Sequence, residues 1–316
     1  MKTLANRARP AAAALLLLAS SEALGATIHA PGPYSSIQEA VNEAVAGDTV
    51  LVAPGRYTEV IELKNGITFR GADGPDSTVL VNPALTEKLA DQRLLVIPEG
   101  CDRSTVVEGL HFDGGGSHGV AIMVDHAQPT IRGNTIVGFG WGILLQNSDA
   151  RIEDNHIHSG SAYGIQVRGS SPEIFRNTIR DQTGHGIGIS GKLSRPLIGG
   201  SRENANRIYG NQEAIENTCR NDIDATWNDW GWNTASEMEA KGYPADIQAI
   251  ADGADLERRP RGRGIVDYRN WLFEDPDAPA EAADEAARFP RAPLFLAVGL
   301  VVVLVVFSRL RRARAG

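Results

Sequence analysis

From about residue 118 onward, apolar residues recur in short alternating runs at a period close to 22. The pairs Gly119 and Val120, Gly142 and Ile143, Gly164 and Ile165, and Gly186 and Ile187 are spaced by 23, 22 and 22 residues. A second column holds Ile131, Asn134 and Ile136, then Ile152, Asn155 and Ile157, then Ile174, Asn177 and Ile179, with asparagines 21 and 22 apart. Pro129, Ala150, Pro172 and Pro196 each stand two residues before an apolar position, and Asn206 and Ile208 resume the column after an insertion at 199–205. Within each unit the apolar spacing is two, β-branched residues dominate, and Gly or Asn interrupts about every ten residues, which excludes helical repeats. A unit this short cannot bury its apolar face alone, whereas stacked coils bury a continuous column. The pattern therefore predicts an all-β fold: a single-stranded right-handed parallel β-helix of about 22 residues per coil. The asparagines are expected to take left-handed backbone at a turn and to stack as an amide ladder.

The region before the repeats reads as the first coil. Residues 36–46 carry apolar positions at helical spacing, with Ser35 or Ser36 as N-cap and Gly47 as the stop, and strands follow at 48–52, 54–57 and 66–71. A short helix here would cover the open end of the sheet stack. The stretch from Ser36 to Glu59, with Ile67 to Gly71 after it, resembles the opening coil of bacterial right-handed β-helix proteins of the pectin-lyase-like fold. The Gly-Ile and Ile-x-x-Asn-x-Ile units resemble the short parallel β-helix repeats of NosD-like and of carbohydrate-binding and sugar-hydrolysis proteins. Residues 228–231, 247–252 and 264–272 are similar to their C-terminal closing region. The resemblance spans nearly all of 27–272 and implies the fold, while lyases, hydrolases, epimerases, adhesins and accessory proteins all share it.

Both ends point to export. Lys2, Arg7 and Arg9 precede an apolar stretch at 11–19 and small residues at Ala23, Gly25 and Ala26, giving a signal peptide over 1–26. After a β-helix at 27–225, a closing region at 226–275 and a Pro/Ala/acid-rich linker at 276–291 comes an uncharged stretch at 292–308. That stretch is long enough for a transmembrane helix, and Arg309, Arg311, Arg312 and Arg314 in the tail, 309–316, place the tail inside and the body outside the cytoplasm. The expectation is a single-pass protein of the bacterial cell envelope, and a processed sorting tail would read almost the same.

Composition adds less. Of the 316 residues 42% are hydrophobic, and 34 glycines without period three indicate many turns. Taking the +2 of the signal and the +4 of the tail from a net charge of −8 leaves −14 on the body. A body this acidic repels nucleic acid, and the one basic loop, Arg258 to Arg263, does not reverse that. Cys101 and Cys219 are separated by about five coils at ~4.8 Å each, too far for a disulfide, and are read as buried and unpaired.

Two groups of residues are candidates for chemistry. His118, Trp141, Tyr163 and His185 each precede a Gly-apolar pair, so one ring per coil would form a column able to bind sugar rings. An aromatic turn preference in the repeat accounts for the same column. His156 and His158 flank inward Ile157, with Arg180, Asp154, Arg176 and Asp181 nearby in register. These groups could act as acid, base and carboxylate-neutralising cation on a uronate, although ion pairing on a solvated face is the favoured reading. Asp113, His118, Asp125 and His126 match no metal-ligand spacing, so no metal site is assigned; stacked Asp residues on an acidic body leave Ca²⁺ compatible. The leading expectation is a glycan-binding or structural module with polysaccharide as partner, more a binder than an enzyme. The alternatives are a polysaccharide lyase, glycoside hydrolase or C5-epimerase acting on an acidic polysaccharide, and a NosD-like accessory role implied by the resemblance alone.

Overall fold

The computed structural model describes residues 25–82, 93–255 and 262–272. The signal peptide up to residue 24, the linker at 276–291, the hydrophobic segment at 292–308, the basic tail and Arg258 to Arg261 lie outside the described residues. Within them the strands form three sheets of ten, eight and seven strands, and every pairing between named strands is parallel. The chain visits the ten-, seven- and eight-stranded sheets in turn, so each sheet collects every third strand: a parallel β-helix. One coil runs through Arg151–Glu153, His156–His158 and Tyr163–Arg168, and the next through Glu173–Phe175, Thr178–Arg180 and His185–Ser190.

Inward residues stack by type. Ile131, Ile152, Ile174 and Ile198 follow one another in the ten-stranded sheet, and Phe112, Ile136, Ile157, Ile179 and Ile208 in the seven-stranded sheet. Leu95, Ile122, Ile143, Ile165, Ile187, Ile215 and Ile250 do so in the eight-stranded sheet. All of these are buried in one continuous core. Outside the ten-stranded sheet, Arg70, Glu108, Arg132 and Glu153 alternate in sign, with Arg132 Nε 2.6 Å from Glu108 Oε2.

Asparagines stack at one corner as expected. The Asn155 carboxamide oxygen accepts from the backbone and side-chain nitrogens of Asn134, both at 3.0 Å, and Asn155 Nδ2 donates to Asn177 Oδ1 at 3.0 Å and to Ile131 O at 2.9 Å. Asn177, Asn206 and Asn228 continue the ladder. The left-handed backbone, however, falls on the preceding residue: Gly133 (φ 61), Asp154 (φ 56), Arg176 (φ 54) and Trp227 (φ 65). The asparagine turns its amide inward, so the residue before it takes the bend and points outward. The other corners hold similar stacks, Ser148–Ser170–Ser194 and Gly160–Gln182–Asn211.

The N-terminal helix is shorter than expected, Ile37–Glu43 instead of 36–46. Ser36 caps it through a bond from Glu39 N at 3.1 Å. At its end the Asp48 carboxylate accepts from Val45 N at 2.9 Å and Ala26 N at 2.7 Å, drawing the chain into the first coil, while Lys64 Nζ caps the carbonyls of Asn42 and Ala44. Buried Ile37, Ala40, Val41 and Ala44 join the core. The expected insertion contains a short 3₁₀ turn, Arg202–Asn204. The sheets run on past residue 225 through Ile250–Ala251 and Val266–Asp267, with a helix, Gly231–Lys241, packed between by buried Trp230, Met238 and Tyr268. Cys101 and Cys219 are buried and unpaired.

Replacing Asn155 by Ala takes the acceptor from Asn134 N and the side-chain donor from Ile131 O and Asn177 Oδ1 in a buried corner. The expected loss is about 2–4 kcal/mol, measured as a drop in the urea midpoint; an exposed change such as Arg202→Ala should leave the midpoint almost unmoved.

Candidate functional site

The two candidate groups lie on different faces. His156 and His158 project from the seven-stranded sheet in register with Thr178 and Arg180, as the spacing predicts, with ring centroids 6.4 Å apart. The charged residues around them are already engaged. Arg176 makes two bonds of 2.9 Å to Asp154, one of 2.7 Å to Glu153 and one of 3.2 Å to Asn204. Arg180 pairs with the neighbouring Asp181. Burial, then Arg180 and His156, hold His158 below its ordinary value and so mainly neutral. Asp154, Arg176 and Asp181 occupy left-handed corners on either side of the sheet, so the four charged groups form local ion pairs along the surface beside the two histidines.

The ring column lies outside the eight-stranded sheet, and three of its four expected members fall in register. Trp141 is opposite Tyr163 and Tyr163 opposite His185. His118 is not in the row; Val120 stands opposite Trp141. The turn at Gly114–Gly116 consumes extra residues, so the repeat here is 21 and not 23, and the Gly-apolar pair at 119 is out of register with that at 142. His118 lies exposed against the Gly140 backbone, with Nδ1 3.5 Å from Ser161 Oγ.

The outer face of this sheet is wide because its four central strands are six residues long and kink after the first residue. In Tyr163–Arg168, Ile165 and Val167 enter the core while Tyr163, Gln166 and Arg168 face out. Toward the N-terminal coils the face is apolar: Val120, Met123 and Leu144 form a separate cluster, with Val96 and Trp141 against it. The indole N–H of Trp141 is buried without an acceptor among the described residues. Toward the C-terminal coils the face turns polar. The Tyr163 and His185 rings stack at 4.8 Å and 21°. Gly188 makes this possible, because a Cβ there would lie 2.4 Å from Tyr163 Cε1. The Tyr163 hydroxyl donates to Glu216 Oε2 at 3.1 Å. His185 Nδ1 is 3.0 Å from Glu213 Oε2, a close charge contact more than a well-aimed hydrogen bond, and Nε2 is 4.0 Å from Glu216 Oε2.

Charge follows from this geometry. The Glu213 carboxylate holds His185 above its ordinary value, against the opposing effect of burial. Burial, then Glu216, pushes the Tyr163 phenol up to about 12, so it stays a donor. Glu213 and Glu216 were not among the sequence candidates. The signal was present: the pair after Gly186 and Ile187 is Ala214 and Ile215, so Glu213 continues the ring column, but Ala in place of Gly hid it.

Fold and site together define a parallel β-helix with a ring-bearing outer face. Residues 42–244 match the family described as periplasmic copper-binding protein (NosD), and the chain belongs to that family. Its periplasmic description supports an exported body. Similar solved structures include the A-module of the mannuronan C-5 epimerase AlgE4 from Azotobacter vinelandii (16% identity, TM-score 0.44), with 62% of this chain and 60% of that chain covered. Another is ORF18 of Geobacillus virus E2, at 14% identity and TM-score 0.28, with 61% of this chain and 38% of that chain covered. The chain thus spans less than two thirds of either. No curated protein matches the sequence. Among the described residues no helix is long and apolar enough to cross a membrane.

His185 is held protonated to a higher pH in the folded chain than in the unfolded one. Its pairing with Glu213 stabilises fully below pH 6.5, and that contribution disappears as pH rises through the raised value. Melting temperatures of wild type and Glu213→Gln should therefore differ most in mildly acidic buffer, where the imidazole is protonated and the carboxylate ionised, and converge in alkaline buffer; a difference that grows from neutral to alkaline pH would contradict the assignment.

Proposed function

We propose that this chain is an exported, membrane-tethered β-helix protein whose eight-stranded face binds glycan. One observation carries the reading: Tyr163 and His185 form a stacked, half-buried pair of rings on the outside of the helix, in line with Trp141. A core has no use for rings held there, and rings of this kind provide flat, partly apolar surface for the faces of sugars. Gln166, Glu213 and Glu216 around them supply hydrogen-bonding groups for hydroxyls. The uronate-processing alternative at His156, His158 and Arg180 loses support, because the arginines there are engaged by carboxylates and are not open to a substrate. Tethering would be through residues 292–308.

The family's description names copper. A copper site requires imidazole, thiolate or thioether donors converging on one point. Among the described residues no group of three or more His, Cys, Asp or Glu side chains does so. Both cysteines are buried, with thiols pushed up by desolvation and so protonated. The described residues as folded do not fit a copper centre, and the proposed function does not use one.

Calorimetry with the full chain in detergent against neutral and charged oligosaccharides tests the glycan reading. Tyr163→Ala should weaken the best ligand at least about tenfold. Gly188→Ala, which removes no contact group, should also weaken it by displacing the Tyr163 ring. Affinity unchanged in both variants, with the melting temperature retained, would overturn the proposal.

A further inference from the structure

The ring pair adjoins two carboxylates, and their placement bears on which sugars it can take. Glu213 and Glu216 come from one strand, Glu213–Asn217, laid directly on the His185 strand. They approach the two nitrogens of a single imidazole, at 3.0 Å and 4.0 Å. Both are mostly covered, with side-chain exposures of 11% and 21%. His185 carries at most one positive charge against these two, so the three side chains together are net negative on a face largely withdrawn from water.

We infer that the Tyr163–His185 platform takes a glycan bearing a free amine, with its ammonium seated against the carboxylates of Glu216 and Glu213. The inference rests on the glycan-binding reading and narrows it to a ligand class. Glu216 is the nearer anchor for a sugar lying on Tyr163. Its Oε2 accepts the Tyr163 hydroxyl at 3.1 Å, so a substituent at the edge of a stacked sugar ring comes within reach of that carboxylate. A carboxylate offers about four acceptor positions, and His185 Nε2 at 4.0 Å is beyond hydrogen-bond length, which leaves acceptor capacity for a new donor. Aromatic faces beneath the sugar favour the same ammonium.

The opposite ligand class is disfavoured by the same geometry. A uronate would bring a third carboxylate to the cluster. Arg168, exposed on the same face, is the cation that acts on the Tyr163 hydroxyl, and its effect there is smaller than that of Glu216. Charge repulsion at the ring pair therefore adds to the repulsion expected from a body of net charge −14, the value left when the +2 and +4 of the ends are taken from −8. An amine-bearing glycan is drawn by both.

Calorimetry of the full chain with tetramers of glucosamine, N-acetylglucosamine and galacturonate, in mildly acidic buffer that keeps the glucosamine amines charged, separates the possibilities. The glucosamine tetramer should bind at least about tenfold more tightly than its acetylated counterpart, and galacturonate least well. Glu216→Gln should reduce that preference to roughly twofold, read as the ratio of the two affinities measured on the same variant, and Glu213→Gln should act in the same direction. Equal affinity for the two glucosamine-type tetramers, or a preference that survives Glu216→Gln, overturns the amine inference and leaves the ring platform standing. No binding of any tetramer overturns both.

Discussion

Everything in this molecule depends on coil-to-coil hydrogen bonding. A strand of three residues has no neighbour within its own coil; its backbone groups are satisfied only by the coils above and below, at a spacing of ~4.8 Å. That requirement extends to the corners, where the chain leaves the sheets and buried N–H and C=O groups would otherwise be unpaired. Side chains solve it: Asn134, Asn155, Asn177 and Asn206 each donate an amide to the asparagine of the next coil, ending at Asn228, and at another corner the Ser170 and Ser194 hydroxyls accept backbone N–H groups from the preceding coil. Once an inward residue is fixed at each corner, the left-handed bend is forced onto the residue before it. Asp154, Arg176 and Asp181 are exposed for that reason, and their being conspicuous in the sequence reflects the bend and not a shared reaction centre.

The same constraint decides what was legible in the sequence. Inward positions must repeat in kind, so the Ile and Asn columns reveal the coil, its period and the register of His156 with Thr178. Outward positions are free to differ, and only the spacing from inward neighbours places them. That spacing fails wherever a turn changes length. Three glycines at 114–116 lengthen one turn, and His118 drops out of the column that the sequence spacing starts with it. Conversely Ala214 fills a place that Gly held in three earlier coils, and Glu213 goes unnoticed although it continues the row. The helix end at Glu43 was hidden for another reason: it is set by Asp48, a residue outside the helix whose carboxylate captures two backbone N–H groups.

The contrast between the outer faces follows from strand length. Three-residue strands in the seven-stranded sheet present two outward residues each, flanked closely by corners, and the charges at those corners pair locally, Asp154 with Arg176 of the next coil and Arg180 with the neighbouring Asp181. Six-residue strands in the eight-stranded sheet present three outward residues, far enough from the corners to support a surface of their own. That face changes along the axis, from the buried Met123 and Leu144 through Trp141 to half-buried Tyr163 and His185 and the two glutamates. A gradient of this kind cannot come from the repeat, which would make every coil alike.

Gly188 shows how the gradient is built. The row it occupies holds Met123, Leu144, Gln166 and Glu216 in the neighbouring coils, and in this row only Gly188 has no side chain. Any larger residue would meet the Tyr163 ring. The gap lets that ring lie across the sheet, stack on His185 from the adjacent coil and reach Glu216 two coils from its own strand. Three side chains from three coils are thereby locked into one arrangement, in which burial and then Glu216 raise the phenol and the Glu213 carboxylate raises the imidazole. Ion pairs on the neighbouring face need only adjacent coils and would tolerate substitution on either side. A three-coil cluster that depends on a missing side chain is a feature of this chain's own sequence, superimposed on the repeat, and it is the place where the regular scaffold has been made specific.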